Sequence, residues 1–205
     1  MIIQCDEQGK IIGPIEKEFA HSEGQRQQLT HYATWSMVFI TSGKYGIQLK
    51  NKEKHDQQSA GKWDMGVAGH NCYIIKNGVL KALSFKETLI KEAEEEIGLS
   101  LTVVDSLGKF LQLARSELKN PIAFFFDTFH FKEGINNEFV SLAFILTPIT
   151  KLQFKDKEVV DFQWLSPHQL SLFLRRNDNY CSPLPMVFNK AEAFRKQYLQ
   201  DFFST

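Results

Sequence analysis

The sequence has no charge to spare. Its 24 Lys and Arg are matched by 24 Asp and Glu, so the formal net charge is zero at pH 7. A balanced chain presents no electrostatic footprint for a nucleic-acid backbone or an anionic membrane surface, and neither partner is expected. Cysteine is scarce as well. Cys5, Cys72 and Cys181 are odd in number and far apart, which excludes a disulfide framework and fits a reducing, cytoplasmic setting. No two of them have the spacing of metal ligands. Long apolar runs are missing: the most apolar stretch, Phe139 to Ile149, is too short to span a bilayer. The opening "MIIQCDEQGK" lacks a basic region followed by an apolar one, so no secretion signal is expected. There is no internal repeat and no low-complexity segment.

What the chain does have is apolar and aromatic mass. Over 205 residues, 43% are hydrophobic and 18 are Phe, enough to fill one core. The expectation is a single domain over 1–205, with an N-terminal extension over 1–30 and a C-terminal helix within 183–205. "MIIQC" and "IIGPIEKEF" read as extended pieces, and residues 21–30 as a polar loop. "HYATWSMVFI" reads as a core strand that turns through "SGK" into "YGIQLK". Residues 51–62 read as a polar, mobile loop, and "WDMGVAGH" as a strand with glycines where backbone comes close to something. Asn77-Gly78 sits between two apolar runs and predicts a hairpin. "SFKETLIKEAEEEIGLS" predicts a helix, with a capping box from Ser84 and Glu87 and a stop at Gly98. "KFLQLA", "AFFFDTFHF", "EFVSLAFIL" and "VVDFQWL" read as strands. Ser166-Pro167 opens a short helix, and a longer one runs from about Met186 to Phe203. Strands flanked by helices make an α/β or α+β fold with a mixed sheet.

The helix ending in "KEAEEEIG" carries the chemistry. Glu92, Glu95 and Glu96 stand at i, i+3 and i+4 and share one face, while Glu94 points away. Leu89, Ile90, Ala93 and Ile97 form the side expected to be buried. Like charges at this spacing destabilise a helix by roughly 0.2–0.5 kcal/mol per pair. They also lie near its C-terminal end, where the dipole disfavours them. A bound cation offsets both costs, and Mg²⁺ favours such clustered carboxylates. A solvated acidic face is the bland alternative.

"KEAEEEIGL" resembles the end of the Nudix box, with Lys91, Glu92, Ala93, Glu95, Glu96, Gly98 and Leu99 in register. Lys91 stands in place of the usual arginine, and Leu83 in place of the glutamate that precedes the helix. Gly69 is the candidate opening glycine, about one hairpin too far upstream, an excess that the Asn77-Gly78 turn accounts for. The box region then spans 62–99. The blocks "AHSEGQRQQLTH", "KWDMGVAGH", "NNEF" and "DKEVVDFQWL" are similar to the branch of Nudix proteins related to isopentenyl-diphosphate isomerase. The resemblance implies a Nudix α/β/α sandwich with an N-terminal strand extension and an inserted hairpin before the box helix.

It also implies roles. Glu92, Glu95, Glu96 and Gly69 fall at the metal, Mg²⁺ or Mn²⁺, which neutralises phosphate charge and acidifies a water. Glu96 or Glu138 would activate that water, and Lys91 would orient the glutamates. Lys50, Lys54 and His70 fall near a small-molecule diphosphate substrate. His21, His31 and His70 match histidine ligands of the isomerase, although each alone is most simply a hydrogen-bonded core or loop histidine. His55, His130 and His168 carry no motif and read as structural. The isomerase needs a cysteine where this chain has Ala68, and Cys72 is expected on the hairpin, on the wrong side. The expectation is therefore a Mg²⁺-dependent hydrolase of a diphosphate linkage in a nucleoside diphosphate derivative or related compound. An isomerase-like enzyme and a catalytically silent nucleotide sensor are the alternatives. The amphipathic C-terminal helix would suit a homodimer.

Overall fold

The computed structural model describes residues 1–54 and 59–200. In chain order the elements are β1 (Ile2–Cys5), β2 (Ile11–Ile15), α1 (Lys17–Ala20), β3 (His31–Ile40), β4 (Tyr45–Lys50), β5 (Trp63–Met65), β6 (Val67–His70), β7 (Tyr73–Lys76), β8 (Val79–Ala82), α2 (Phe85–Glu96), β9 (Thr102–Val104), α3 (Leu107–Ala114), β10 (Ile122–Glu133), β11 (Asn136–Thr147), β12 (Val159–Leu165), α4 (Pro167–Arg176) and α5 (Leu184–Phe194). A π-helical turn, Arg195–Leu199, continues α5.

A mixed sheet runs in the order β12-β4-β3-β11-β10-β9, with β1, β5 and β6 paired at its flanks. β3 is central and buried on both faces, which explains its nearly unbroken apolar and aromatic run. Its alternate residues feed two cores. Trp35, Met37 and Phe39 join Tyr45, Phe144, Phe188 and Phe194 on the side covered by α3, α4 and α5. Val38 joins Val67, Ala143 and Ile145 on the other side, under Leu89 and Ala93 of α2 and Ile97 just past its end. The fold is an α/β/α sandwich. Each fully buried Phe or Leu here stabilises it by about 1.5–3 kcal/mol relative to exposure. No helix among the described residues is long and apolar enough to cross a membrane.

The β7–β8 hairpin forms as expected: Asn77 and Gly78 both take positive φ, 53° and 75°, as a tight turn of this hand requires. α2 begins in the expected capping box, Ser84 accepting from the Glu87 N–H. It ends at Gly98, whose φ of 71° lets the chain turn away.

Two expectations are corrected. "KFLQLA" is not a strand but lies within α3, with Ser106 accepting from the Lys109 N–H at its start. Leu107, Phe110, Leu111 and Ala114 are spaced for a helix, and burying Phe110 between α5 and the sheet holds that choice. The end of "IIGPIEKEF", expected extended, is helical from Lys17 in α1. The C-terminal helix, expected from about Met186, starts at Leu184, and its expected end falls in residues 201–205, outside those described. Part of the expected 51–62 loop, including His55, also lies outside the described residues.

Candidate active site

Strand register assembles the site. β3 and β11 pair in parallel with His31 opposite Glu138, and β6 lies antiparallel to β3 with His70 opposite Ala33 and Gly69 opposite Thr34. α2 packs over β6. A Cβ built on Gly69 would stand 2.5 Å from Glu92 Cγ and Cδ, so the missing side chain is what seats that carboxylate. The result is a cleft of about 590 Å³ lined by Glu92 and Glu95 of α2, Glu138, His70, Asp64 and a set of lysines.

The three glutamates are not equivalent. Glu92 and Glu95 line the cleft, and Lys91 Nζ bridges them at 3.1 Å and 2.6 Å. Burial pushes the Glu92 carboxyl up, against the pull of Lys91. Glu96 is 0% exposed and lies behind the cleft wall. Its Oε2 accepts the Ala68 N–H at 3.0 Å, and Gln48 Nε2 lies 3.3 Å from both carboxylate oxygens. Glu94 points away, as expected, to an ion pair with Lys155.

Beside the glutamates three imidazoles meet. The His21, His31 and His70 rings have centroids 4.8–5.2 Å apart, and one ligand atom from each falls within 4.8 Å of the others. His31 is buried. Its Nδ1 sits 3.4 Å from the Leu29 carbonyl, which it can donate to, and its buried Nε2 has no hydrogen-bond partner. With Nδ1 donating, Nε2 keeps its lone pair, the tautomer a metal ligand needs. Burial and the neighbouring His21 push His31 down to about 3, the Leu29 carbonyl opposing, and burial holds His70 well below its ordinary value. Neutral imidazoles of this kind bind divalent metals, so the donor set fits an ion.

The same shift has a consequence for metal-free protein. Unfolded histidines titrate near 6.5, so below that pH the unfolded chain binds more protons than the folded one, and stability falls with acid. Between about pH 6.5 and 5, His31 alone is expected to cost about 2 kcal/mol. Urea denaturation of the parent and of His31→Gln across this range checks it: the parent's loss should exceed the variant's. Equal pH dependence in both would show that His31 is not buried neutral.

Residues 30–183 match the family model for the NUDIX domain. The chain belongs to the Nudix family. No curated protein matches it. Among solved structures, DR0079 from Deinococcus radiodurans superposes with a TM-score of 0.64 at 12% identity, covering 92% of this chain and 97% of that one. The NUDIX domain of Shewanella oneidensis NrtR, complexed with ADP-ribose, gives 0.51 at 10% identity, covering 87% and 98%.

Within this Nudix fold eight of the nine expected site residues converge, while Glu96, expected at the metal, lies behind the cleft wall. Lys91, Glu92, Glu95, Glu138, Gly69, His70, Lys50 and Lys54 all line the one cleft. Lys50 is the buried last residue of β4, the strand expected from "YGIQLK", while Lys54 lies in the expected loop. Cys72 follows His70, on the side expected, but precedes the hairpin rather than lying on it, and it lines the cleft with its Sγ 3.4 Å from the His70 carbonyl. Burial and the nearby Glu92 push its thiol up, Lys91 opposing. His130 Nε2 lies 2.7 Å from Asn137 Oδ1.

Reading the residues singly missed several contributions. The three histidines are separated along the chain: pairing of β6 with β3 brings His70 beside His31, and His21, just past α1, joins them from the N-terminal segment. Trp35 Nε1 donates to Glu138 Oε2 at 3.1 Å and so orients that carboxylate. Lys17 and Arg26 reach the cleft from the N-terminal segment, upstream of the family match. Their signal was present only as basic residues flanking His21.

Proposed function

We propose that the chain is a divalent-metal-dependent hydrolase that cleaves a diphosphate linkage in a nucleoside diphosphate derivative or related compound. The observation that carries this reading is the convergence of Glu92 and Glu95 with Glu138 and several lysines on one cleft, around the Gly69 opening. Mg²⁺ or Mn²⁺ would be held by Glu92 and Glu95, with Glu96 behind them, and would neutralise phosphate charge and acidify a water. Glu138, fixed by Trp35, would accept a proton from that water. Lys91 keeps Glu92 and Glu95 oriented, though lysine lacks the fork of an arginine. Lys54, exposed at the rim, would meet phosphate oxygens.

The experiment is release of phosphate or nucleotide by purified protein with and without Mg²⁺ or Mn²⁺. Substrates are nucleoside di- and triphosphates, ADP-ribose, thiamine diphosphate and isopentenyl diphosphate. Metal-dependent turnover of at least one is expected. Tight nucleotide binding with no turnover across the panel would make the chain a sensor.

The histidine cluster favours a second reading. With Glu138 opposite His31, the cluster resembles the isomerase's metal site, so an isopentenyl-diphosphate isomerase-like activity is the alternative. Ala68 removes the thiol that reaction needs at its position, and Cys72 is displaced from it. Solvent deuterium incorporation into isopentenyl diphosphate, without phosphate release, would favour this alternative.

A further inference from the structure

Lys50 closes the inner end of the cleft, with 4% of its surface exposed. Its Nζ stands 3.6 Å from Asp64 Oδ2 and 3.7 Å from Glu96 Oε1. Strand register places these groups. β4 pairs with β5 so that Gln48 faces Asp64, and Lys50, two residues on, falls on the same side of the strand as Gln48. Gln48 and the Ala68 N–H take up the remaining sites on Glu96. The buried carboxylate is thus satisfied from within: one ammonium, one main-chain donor and one amide. Glu92 and Glu95 differ in having a half-exposed lysine, Lys91, as their ion-pair partner.

We propose that Lys50 is a positioning residue whose ammonium takes the place of a cation at Glu96, so that the α2 site presents Glu92 and Glu95, and not Glu96, to a divalent ion. This rests on the hydrolase reading of the α2 glutamates. Two positive charges about 4 Å apart repel strongly in a partly buried site, so an ion can reach Glu96 only if Lys50 withdraws. Lys50 is then an internal counter-ion rather than a contact for the substrate's phosphates. It limits how many ions the cleft takes and how tightly.

Calorimetric titration with Mg²⁺ tests this. A hard ion prefers carboxylate oxygen to imidazole, so Mg²⁺ reports on α2 rather than on the histidines. Lys50→Met is expected to bind Mg²⁺ at least about tenfold more tightly than the parent, and Lys50→Arg about as the parent does. A folded Lys50→Met with unchanged or weaker Mg²⁺ affinity overturns the proposal. Thermal melting without metal supplies the second measurement. Lys50→Met strands a buried carboxylate, so Lys50→Met/Glu96→Gln should melt higher than Lys50→Met alone. A double variant that melts at the same temperature or lower would also overturn it. Glu92→Gln separates the two readings. If it binds Mg²⁺ as the parent does, the hydrolase reading of α2 fails, while the metal-free melting comparison still decides the Lys50–Glu96 pairing.

Discussion

Glu95→Gln is expected to lose about 10²–10³-fold in kcat, with a melting temperature within a few degrees of the parent's. Its carboxylate lines the cleft, is 43% exposed, and has a surface lysine as its ion-pair partner. Such a pair contributes about 0–1 kcal/mol to stability, so nearly all of the effect should fall on activity. Glu96→Gln should behave differently. Its carboxylate is buried against Lys50, the Ala68 N–H and Gln48. Removing the charge leaves Lys50 with Asp64 as its remaining ion-pair partner and sets amide hydrogens against the donors around it. The cost is about 3 kcal/mol, seen as a fall of about 6–12 °C in melting temperature for a chain of this size. Parallel melting curves and single-turnover hydrolysis of both variants check the contrast. Equal stability losses in both would mean that Glu96 is not held as the structure places it.

That contrast between two adjacent glutamates was not legible in the sequence. Spacing on a helix shows that Glu92, Glu95 and Glu96 share a face. It does not show which edge of that face meets solvent, because the partner strands decide it. The three residues opposing Glu96 come from β4 and β6, far from α2 along the chain. The histidine cluster was named by the family resemblance and not by any local pattern. His31 and Glu138 meet through parallel pairing of β3 with β11, a contact across more than a hundred residues that no local pattern encodes. Lys50 reads as the end of a strand, but nothing local shows that its charge is satisfied inside by Asp64 and Glu96.

Local signals fared better where one interaction dominates. The run from His31 to Ile40 is a strand because its β-branched and aromatic residues suit a position buried on both faces. Asn77-Gly78 turns because both residues tolerate positive φ. Ser84 and Glu87 start α2 by capping each other. "KFLQLA" misled because six residues with no clear period suit either a strand or a helix. What decided it lay outside that window: the Ser106 cap and the burial of Phe110 against Phe194.

Gly69→Ala is the second substitution with a large expected effect. β6 cannot retreat from the new methyl group, because Gly69 is paired in register with Thr34 of β3. The Cβ would stand 2.5 Å from Glu92 Cγ and Cδ and 2.9 Å from its Oε1, so the glutamate must move. Its side chain can rotate toward the cleft, which keeps the stability cost to about 1 kcal/mol. The carboxylate, however, leaves the position it shares with Glu95 across Lys91. A displacement of about 1 Å at a reacting centre costs about 10²-fold, so kcat should fall by that much with the melting temperature little changed. Mg²⁺ affinity should weaken in parallel, since Glu92 is misplaced while Glu95 remains. Measuring kcat, Mg²⁺ affinity and melting on the same preparation separates this from misfolding. Activity within roughly threefold of the parent, in a folded variant, would show that the position of Glu92 does not limit the reaction.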